Sequence, residues 1–182
     1  MAKRYEHLEQ QHIEFINQQH IFFVATAGAE GSINLSPKGM DSLRVLDSNR
    51  VAWLNYTGSG NETSVHVQEN GRMTIMFCSF EKEPMIIRLY GQAQVIHPRD
   101  PDWQATSALF PEYIASRQFF ILDIDLVQTS CGFSVPFFEY TGERELLVEL
   151  SEKKGKQGIE AFWQERNQIS LDGLETNIIN KD

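Results

Sequence analysis

Six or seven short runs rich in β-branched and aromatic residues follow one another through the first 130 residues, most of them separated by only a few turn residues. This constrains the fold more than any other feature of the chain. HIFFVATAG (20–28) and INLSPKG (33–39), split by AEGS, read as one hairpin. Residues 43–46 and 50–57, split by Asp47-Ser48-Asn49, read as a second. RMTIMFCSF (72–80), MIIRLYGQAQVI (85–96) and FFILDIDLV (119–127) supply the remaining strands. Short connections make neighbouring strands antiparallel. Six or so antiparallel strands in one small domain tend to close into a barrel, which removes exposed edges. In the 50–57 run, alternation sets Val51, Trp53 and Asn55 against Ala52, Leu54 and Tyr56. In the longest strand it sets Arg88, Tyr90, Gln92 and Gln94 against Met85, Ile87, Leu89, Ala93 and Val95. In 119–127 it sets Phe120, Leu122, Ile124 and Leu126 against Asp123 and Asp125.

Helical patterns lie around this β region. Residues 6–19 carry a partly apolar face at Leu8, Ile13, Phe15 and Ile16. A short helix follows the glycines of GSGN, with Asn61 as its expected N-cap. Residues 101–117 read as helical pieces broken at Pro111, and 142–167 as helix interrupted between Gly155 and Gly158. The expected architecture is mainly β with peripheral helices. Residues 1–140 form the barrel domain, and 141–182 form a helical extension packed on it.

The 182 residues suit one domain. A formal charge of −9 repels phosphate backbones, so nucleic acid is not an expected partner. The Lys153, Lys154 and Lys156 cluster reads as a solvated helix end. The N-terminal MAKRYEHLEQQH has no apolar core of a signal peptide, and no run approaches the roughly 18 apolar residues of a membrane span. Cys78 and Cys131 form no CxxC. A reducing cytoplasm is the simplest location, and Cys131 is expected to be a buried structural thiol rather than a nucleophile. The five histidines show no HExxH spacing, and GxSxG and GxGxxG are both absent.

Four segments could carry chemistry. Ser36-Pro37-Lys38-Gly39 can present a hydroxyl and an ammonium to an anion at a strand end, or it is a turn with a surface lysine. Thr57-Gly58-Ser59-Gly60-Asn61-Glu62-Thr63-Ser64 leads a glycine turn into a helix N-terminus. Free N–H groups there, with the hydroxyls of Thr57, Ser59, Thr63 and Ser64, can cradle phosphate. The same segment also reads as an ordinary capped helix, since Glu62 supplies the negative charge itself. The Arg88 face of the long strand could line a cleft or an interface, or meet solvent. Arg44, between Asp41 and Asp47, could hold a phosphate or pair with either carboxylate, and pairing is favoured.

Taken in order, INLSPKG, RVLDSNRVAWLNYTGSGNETSVHVQENGRMTIMF and IIRLYGQAQVI resemble the pyridoxamine 5′-phosphate oxidase-like family of FMN-binding split barrels. SCGFSVPFFEYTGER and SLDGL resemble one bacterial branch of it. The resemblance implies a split barrel that forms a homodimer, with FMN in clefts at the interface. It further implies an oxidoreductase whose flavin passes electrons from a small-molecule substrate to an acceptor. Arg44-Val45-Leu46 matches the strand that gives the flavin ring backbone contacts, and Tyr56-Thr57 matches a pair near the phosphate. The family's Ser-Arg-Lys phosphate clamp falls on Asn61-Glu62-Thr63, where two cations are missing. Lys38, Arg44 or Arg88 must then supply charge, with Ser36, Thr63, Ser64 and helix N–H groups supplying hydrogen bonds. A weaker flavin site follows, one that Glu62→Lys would tighten. The family's C-terminal grip on pyridoxal phosphate has no counterpart in LETNIINKD, so pyridoxamine phosphate is not the expected substrate. A non-catalytic flavin carrier and a haem-binding relative, with His20, His66 or His97 as axial ligand, are the rival readings.

Overall fold

The computed structural model describes residues 2–179, and these form eight strands and four helices. In chain order they are β1 (Lys3–Tyr5), α1 (Gln10–Gln18), β2 (Phe22–Ala27), β3 (Ile33–Lys38), β4 (Leu43–Asp47) and β5 (Arg50–Tyr56). There follow α2 (Glu62–Asn70), β6 (Arg72–Cys78), β7 (Ile86–Ile96), α3 (Trp103–Ser107), β8 (Ser116–Ser130) and α4 (Leu146–Arg166). The strands run β3-β2-β6-β7-β8-β5-β4, with β1 paired to β8, and every pairing is antiparallel. The two ends of that path, β3 and β4, do not pair, so the barrel is split rather than closed.

Both expected hairpins form, β2–β3 and β4–β5. β1 escaped the sequence reading because KRY has no apolar pattern of its own. Pairing with Val127, Gln128 and Thr129 makes it a strand. The alternation expected in 50–57 is hidden, because Val51 to Asn55 are all buried. Val51 and Trp53 face the main core, while Ala52 and Leu54 pack with Phe110 and Phe119 in a second cluster. β8 begins at Ser116, where the sequence suggested helical pieces. Its pairing with β7 shifts register between Tyr90 and Gly91. That irregularity swaps the buried parity from Phe120, Leu122 and Ile124 to Val127 and Thr129, so Leu126 does not share the inward face.

α4 breaks at Gly155, whose φ of 63° lies in the left-handed region that suits glycine. Cys78 and Cys131 are both free. Cys131 is exposed, contrary to the expectation of a buried thiol, because it lies just past the end of β8. No helix among the described residues is long and apolar enough to cross a membrane.

Candidate functional site

β3 inverts the usual alternation. Asn34, Ser36 and Lys38 stand opposite Thr26, Val24 and Phe22 of β2 and so share the core face with them. Ile33 and Leu35, on the other face, are 80% and 66% exposed. A sheet that placed its polar residues inward and its apolar residues outward would be destabilised unless both faces had a use.

The inward face borders a cavity of about 330 Å³, lined by Asn34, Ser36, Lys38, Asn55, Tyr56, the Gly58–Ser64 segment and Arg117. Two cations converge there. Arg117, on β8, is 4% exposed. Its Nη1 donates to Gly58 O (3.1 Å) and Asn61 Oδ1 (3.4 Å), and its Nη2 donates to Gly60 O (2.8 Å). Its Nε has no hydrogen-bond partner. Lys38 rests its ammonium 4.9 Å from the centroid of the Trp53 ring. Neither cation is ion-paired with a carboxylate among the described residues. Burial, then the neighbouring Arg117 charge, depresses the Lys38 pKa to about 8. Burial brings Arg117 down to about 10. Glu62, in the same lining, offsets part of this charge at a distance, so two cations face one carboxylate and the cavity favours an anion.

Hydrogen bonds back the remaining walls. Asn34 Nδ2 donates to Thr63 Oγ1 (3.0 Å), Gln118 Nε2 donates to Ser64 Oγ (3.0 Å), and Thr57 Oγ1 donates to Ala115 O (2.9 Å) from behind the glycine loop. Asn61 occupies the N-cap position of α2 but makes no side-chain cap bond. Its Nδ2 reaches Arg166 O and Ile169 O instead. Glu62 does not simply oppose an anion. Its Oε2 accepts from Asn61 N (2.9 Å) and its Oε1 accepts from Leu171 N (3.1 Å).

A second cavity, of about 1010 Å³, adjoins the first where Lys38 leads into Gly39 and Met40. The Tyr56 hydroxyl donates to Met40 O (3.0 Å) across the junction. Met40 and Asp41 both take positive φ, 62° and 51°, a strained pair for residues other than glycine. Ile13, Ile16, Phe22 and Phe77 give this cavity an apolar floor, and Leu43, Arg44 and Val45 form one wall. His20, stacked on Tyr140 at 3.6 Å, lies at its rim.

Of the residues singled out in the sequence, Ser36, Lys38, Tyr56, Asn61, Thr63 and Ser64 line the small cavity, and Arg44 and Val45 line the large one. Arg44 is not a free anion anchor. Asp41 grips it through both carboxylate oxygens (2.6 and 2.8 Å), and its Nε donates to Leu109 O. Thr57, Leu46 and Arg88 line neither cavity; the Thr57 hydroxyl is buried behind the loop between Ala115 O and Trp163 Nε1. Leu46 is exposed, and Arg88 lies on the outer face of β7 near Ser130. His66 and His97 are buried, next to Thr26 and Gln118 respectively, and burial lowers the His97 pKa to about 4. No cluster of three or more metal-ligating side chains occurs among the described residues. Arg117 was missed because Ser116-Arg117-Gln118 has little strand propensity. Its one signal is a lone arginine directly before a long apolar run.

The sequence profile of the pyridoxamine 5′-phosphate oxidase family matches residues 8–131. The chain is 41% identical over 146 residues to the pyridoxamine 5′-phosphate oxidase family protein ustO of Aspergillus flavus. That alignment covers 78% of this chain and 59% of the fungal protein. In fold it is similar to HupZ of Group A Streptococcus (TM-score 0.53, 22% identity, covering 65% of this chain and 91% of that one). It is also similar to a candidate pyridoxamine 5′-phosphate oxidase from Lactobacillus delbrueckii (TM-score 0.54, 21% identity, covering 68% and 94%). The split antiparallel barrel, and a profile match that runs from two residues before α1 to one residue past β8, place the chain in the pyridoxamine 5′-phosphate oxidase family.

Proposed function

We propose that this chain is an FMN-dependent oxidoreductase, with the phosphate in the Lys38–Arg117 cavity and the flavin ring toward the larger cavity, on its side formed by Ile13, Ile16, Phe22, Leu43, Arg44 and Val45. The observation that carries this reading is the convergence of half-buried Lys38, on the core face of the inverted β3, and buried Arg117, on β8, with neither ion-paired to a carboxylate among the described residues, in a chain of this family. The cations replace the clamp missing from Asn61-Glu62-Thr63 and compensate a dianion. A cavity of about 330 Å³ suits a terminal phosphate and polyol rather than the adenosine of FAD, and the larger cavity begins at the next residues along the chain, Gly39 and Met40.

Bound flavin supplies hydride and electron transfer to a small-molecule substrate or acceptor. The chain's residues hold and orient it. Lys38 and Arg117 neutralise the phosphate, Thr63 and Ser64 present hydroxyls, and Tyr56 fixes the turn between the two cavities. The exposed apolar face of β3, with exposed Phe133, Phe137 and Phe138, supports a homodimer that shares these sites. The free, exposed Cys131 suits a reducing compartment such as the cytoplasm. The helical extension from residue 141 belongs to the same domain as the barrel of residues 1–140.

Absorption and fluorescence titration of the purified protein with FMN test this reading. Saturable quenching of flavin fluorescence, shifted to higher FMN concentration by Lys38→Met, is expected. A protein that leaves FMN and FAD unbound contradicts it, and a Soret band would favour haem. Turnover of reduced nicotinamide with a range of acceptors separates an enzyme from a passive carrier.

A further inference from the structure

The segment after α4 is far from the Gly58–Ser64 walls in sequence, yet it makes as many hydrogen bonds to them as the barrel strands do. Asn167, with 0% exposure, sits at its centre. Its Nδ2 donates to Gly58 O (2.9 Å) and to Asn61 Oδ1 (2.9 Å). These are two of the three acceptors that hold the Arg117 guanidinium. Arg117 and Asn167 therefore grip the same two oxygens from opposite sides. A displacement of Asn167 would free both oxygens to move and leave a nearly buried cation under-satisfied.

Other bonds continue the pattern. Trp163 Nε1 donates to Thr57 Oγ1 (2.9 Å), and Asn61 Nδ2 donates to Arg166 O (3.2 Å) and Ile169 O (3.1 Å). Leu171 N donates to Glu62 Oε1, and Ser64 Oγ donates to Thr176 O (3.3 Å). The segment is itself folded back, with Ile169 bridged to Glu175 and Thr176 Oγ1 donating to Asn167 O (2.6 Å). Asp172 ties its tip to β3 just ahead of the inverted face, accepting from Ser32 N (2.7 Å) and Ser32 Oγ (2.9 Å).

We propose that Asn167 is a positioning residue for the anion cavity: it fixes Gly58 O and Asn61 Oδ1, and through them aims Arg117 at a phosphate monoester. The strap of residues 163–176 is then a working part of the phosphate site, although it lies roughly a hundred positions away in sequence. The inference rests on the flavin-phosphate reading. It adds a specificity consequence, namely that the strap controls recognition of the phosphate and not of the flavin ring.

The test compares FMN with riboflavin, which shares the ring and polyol but lacks the phosphate. Asn167→Ala should weaken FMN about tenfold or more, the scale of losing two hydrogen bonds next to a charge, while riboflavin binding stays within about twofold. Trp163→Phe, which keeps an aromatic ring in place but removes the Nε1–H donor, should shift the same ratio in the same direction by less. Equal losses for both ligands would mean that Asn167 only supports folding, and no loss for either would mean that the cavity does not depend on it. Both results overturn the proposal.

If the wild-type protein binds neither flavin, the functional reading fails and inorganic phosphate becomes the probe. Phosphate should then slow hydrogen exchange at the amides of residues 58–62 in the wild type and not in Asn167→Ala. Protection retained in the variant, or absent in the wild type, overturns the proposal independently.

Discussion

Lys38 lies on the core face of β3 over the Trp53 ring, with Arg117 as its charged neighbour and no paired carboxylate among the described residues. Its depressed pKa, about 8, has two consequences of definite sign. An anion that needs the ammonium binds less well as pH rises through 8. A phosphate monoester loses its second charge below about pH 6. FMN affinity should therefore peak between about pH 6 and 8, and fluorescence titration across pH 5–10 checks this. Lys38→Met should lower the affinity by about 1.5–3 kcal/mol and remove the alkaline fall. The second consequence concerns stability. Between pH 8 and the ordinary lysine value of 10.5, the unfolded chain holds the proton that the folded chain has released. Stability of the ligand-free protein therefore rises with pH in that window. Thermal melts should show this rise in wild type relative to Lys38→Met, and a fall would mean that the ammonium is not buried as placed.

At the scale of elements, apolar alternation and turn residues carried the hairpins and the buried face of β7, while α2 was legible from the glycine turn before it and Asn-Gly at its end. The part of the site built from neighbours in sequence was legible for the same reason. Ser36 and Lys38 stand on one strand and Thr63 and Ser64 on one helix. Arg117 and Asn167 were not legible, because each acts through oxygens of a loop that is distant in the chain, and no local pattern encodes that meeting. The register shift between β7 and β8 was equally hidden, since alternation in FFILDIDLV continues past the point where the buried parity changes. Gly91 marks that place. A side chain there would overlap the carbonyl oxygen of Asp123 on the facing strand. Gly91→Ala should therefore cost about 2–3 kcal/mol, as overpacking against rigid backbone does. Urea unfolding should show a lower midpoint with little change in slope. A midpoint matching wild type would mean that the two strands are further apart than their pairing indicates.

For the whole molecule, the unpaired end of the split sheet is the feature that most calls for a partner. β3 is an edge strand whose outward side chains include Ile33 and Leu35, 80% and 66% exposed. Edge strands usually carry charge or a covering element on such a face. β3 has only Asp172 tied to the backbone and hydroxyl of Ser32 at one end. The inward side of the same strand supplies Asn34, Ser36 and Lys38 to the anion cavity. A partner that covered Ile33 and Leu35 would bear on the strand that holds Lys38, so the proposed dimer would couple assembly and ligand binding through one element. The Ile33→Lys, Leu35→Lys double variant changes only exposed side chains, so it should fold with near-wild-type melting behaviour. Sedimentation should show it as a monomer where wild type is a dimer, with reduced FMN affinity. A dimer that persists in the variant would move the interface elsewhere, to the exposed Phe133, Phe137 and Phe138 segment. A monomer with undiminished FMN affinity would show that one chain completes the site, and Lys38 and Arg117 would then be sufficient cations for the phosphate without help from a second subunit.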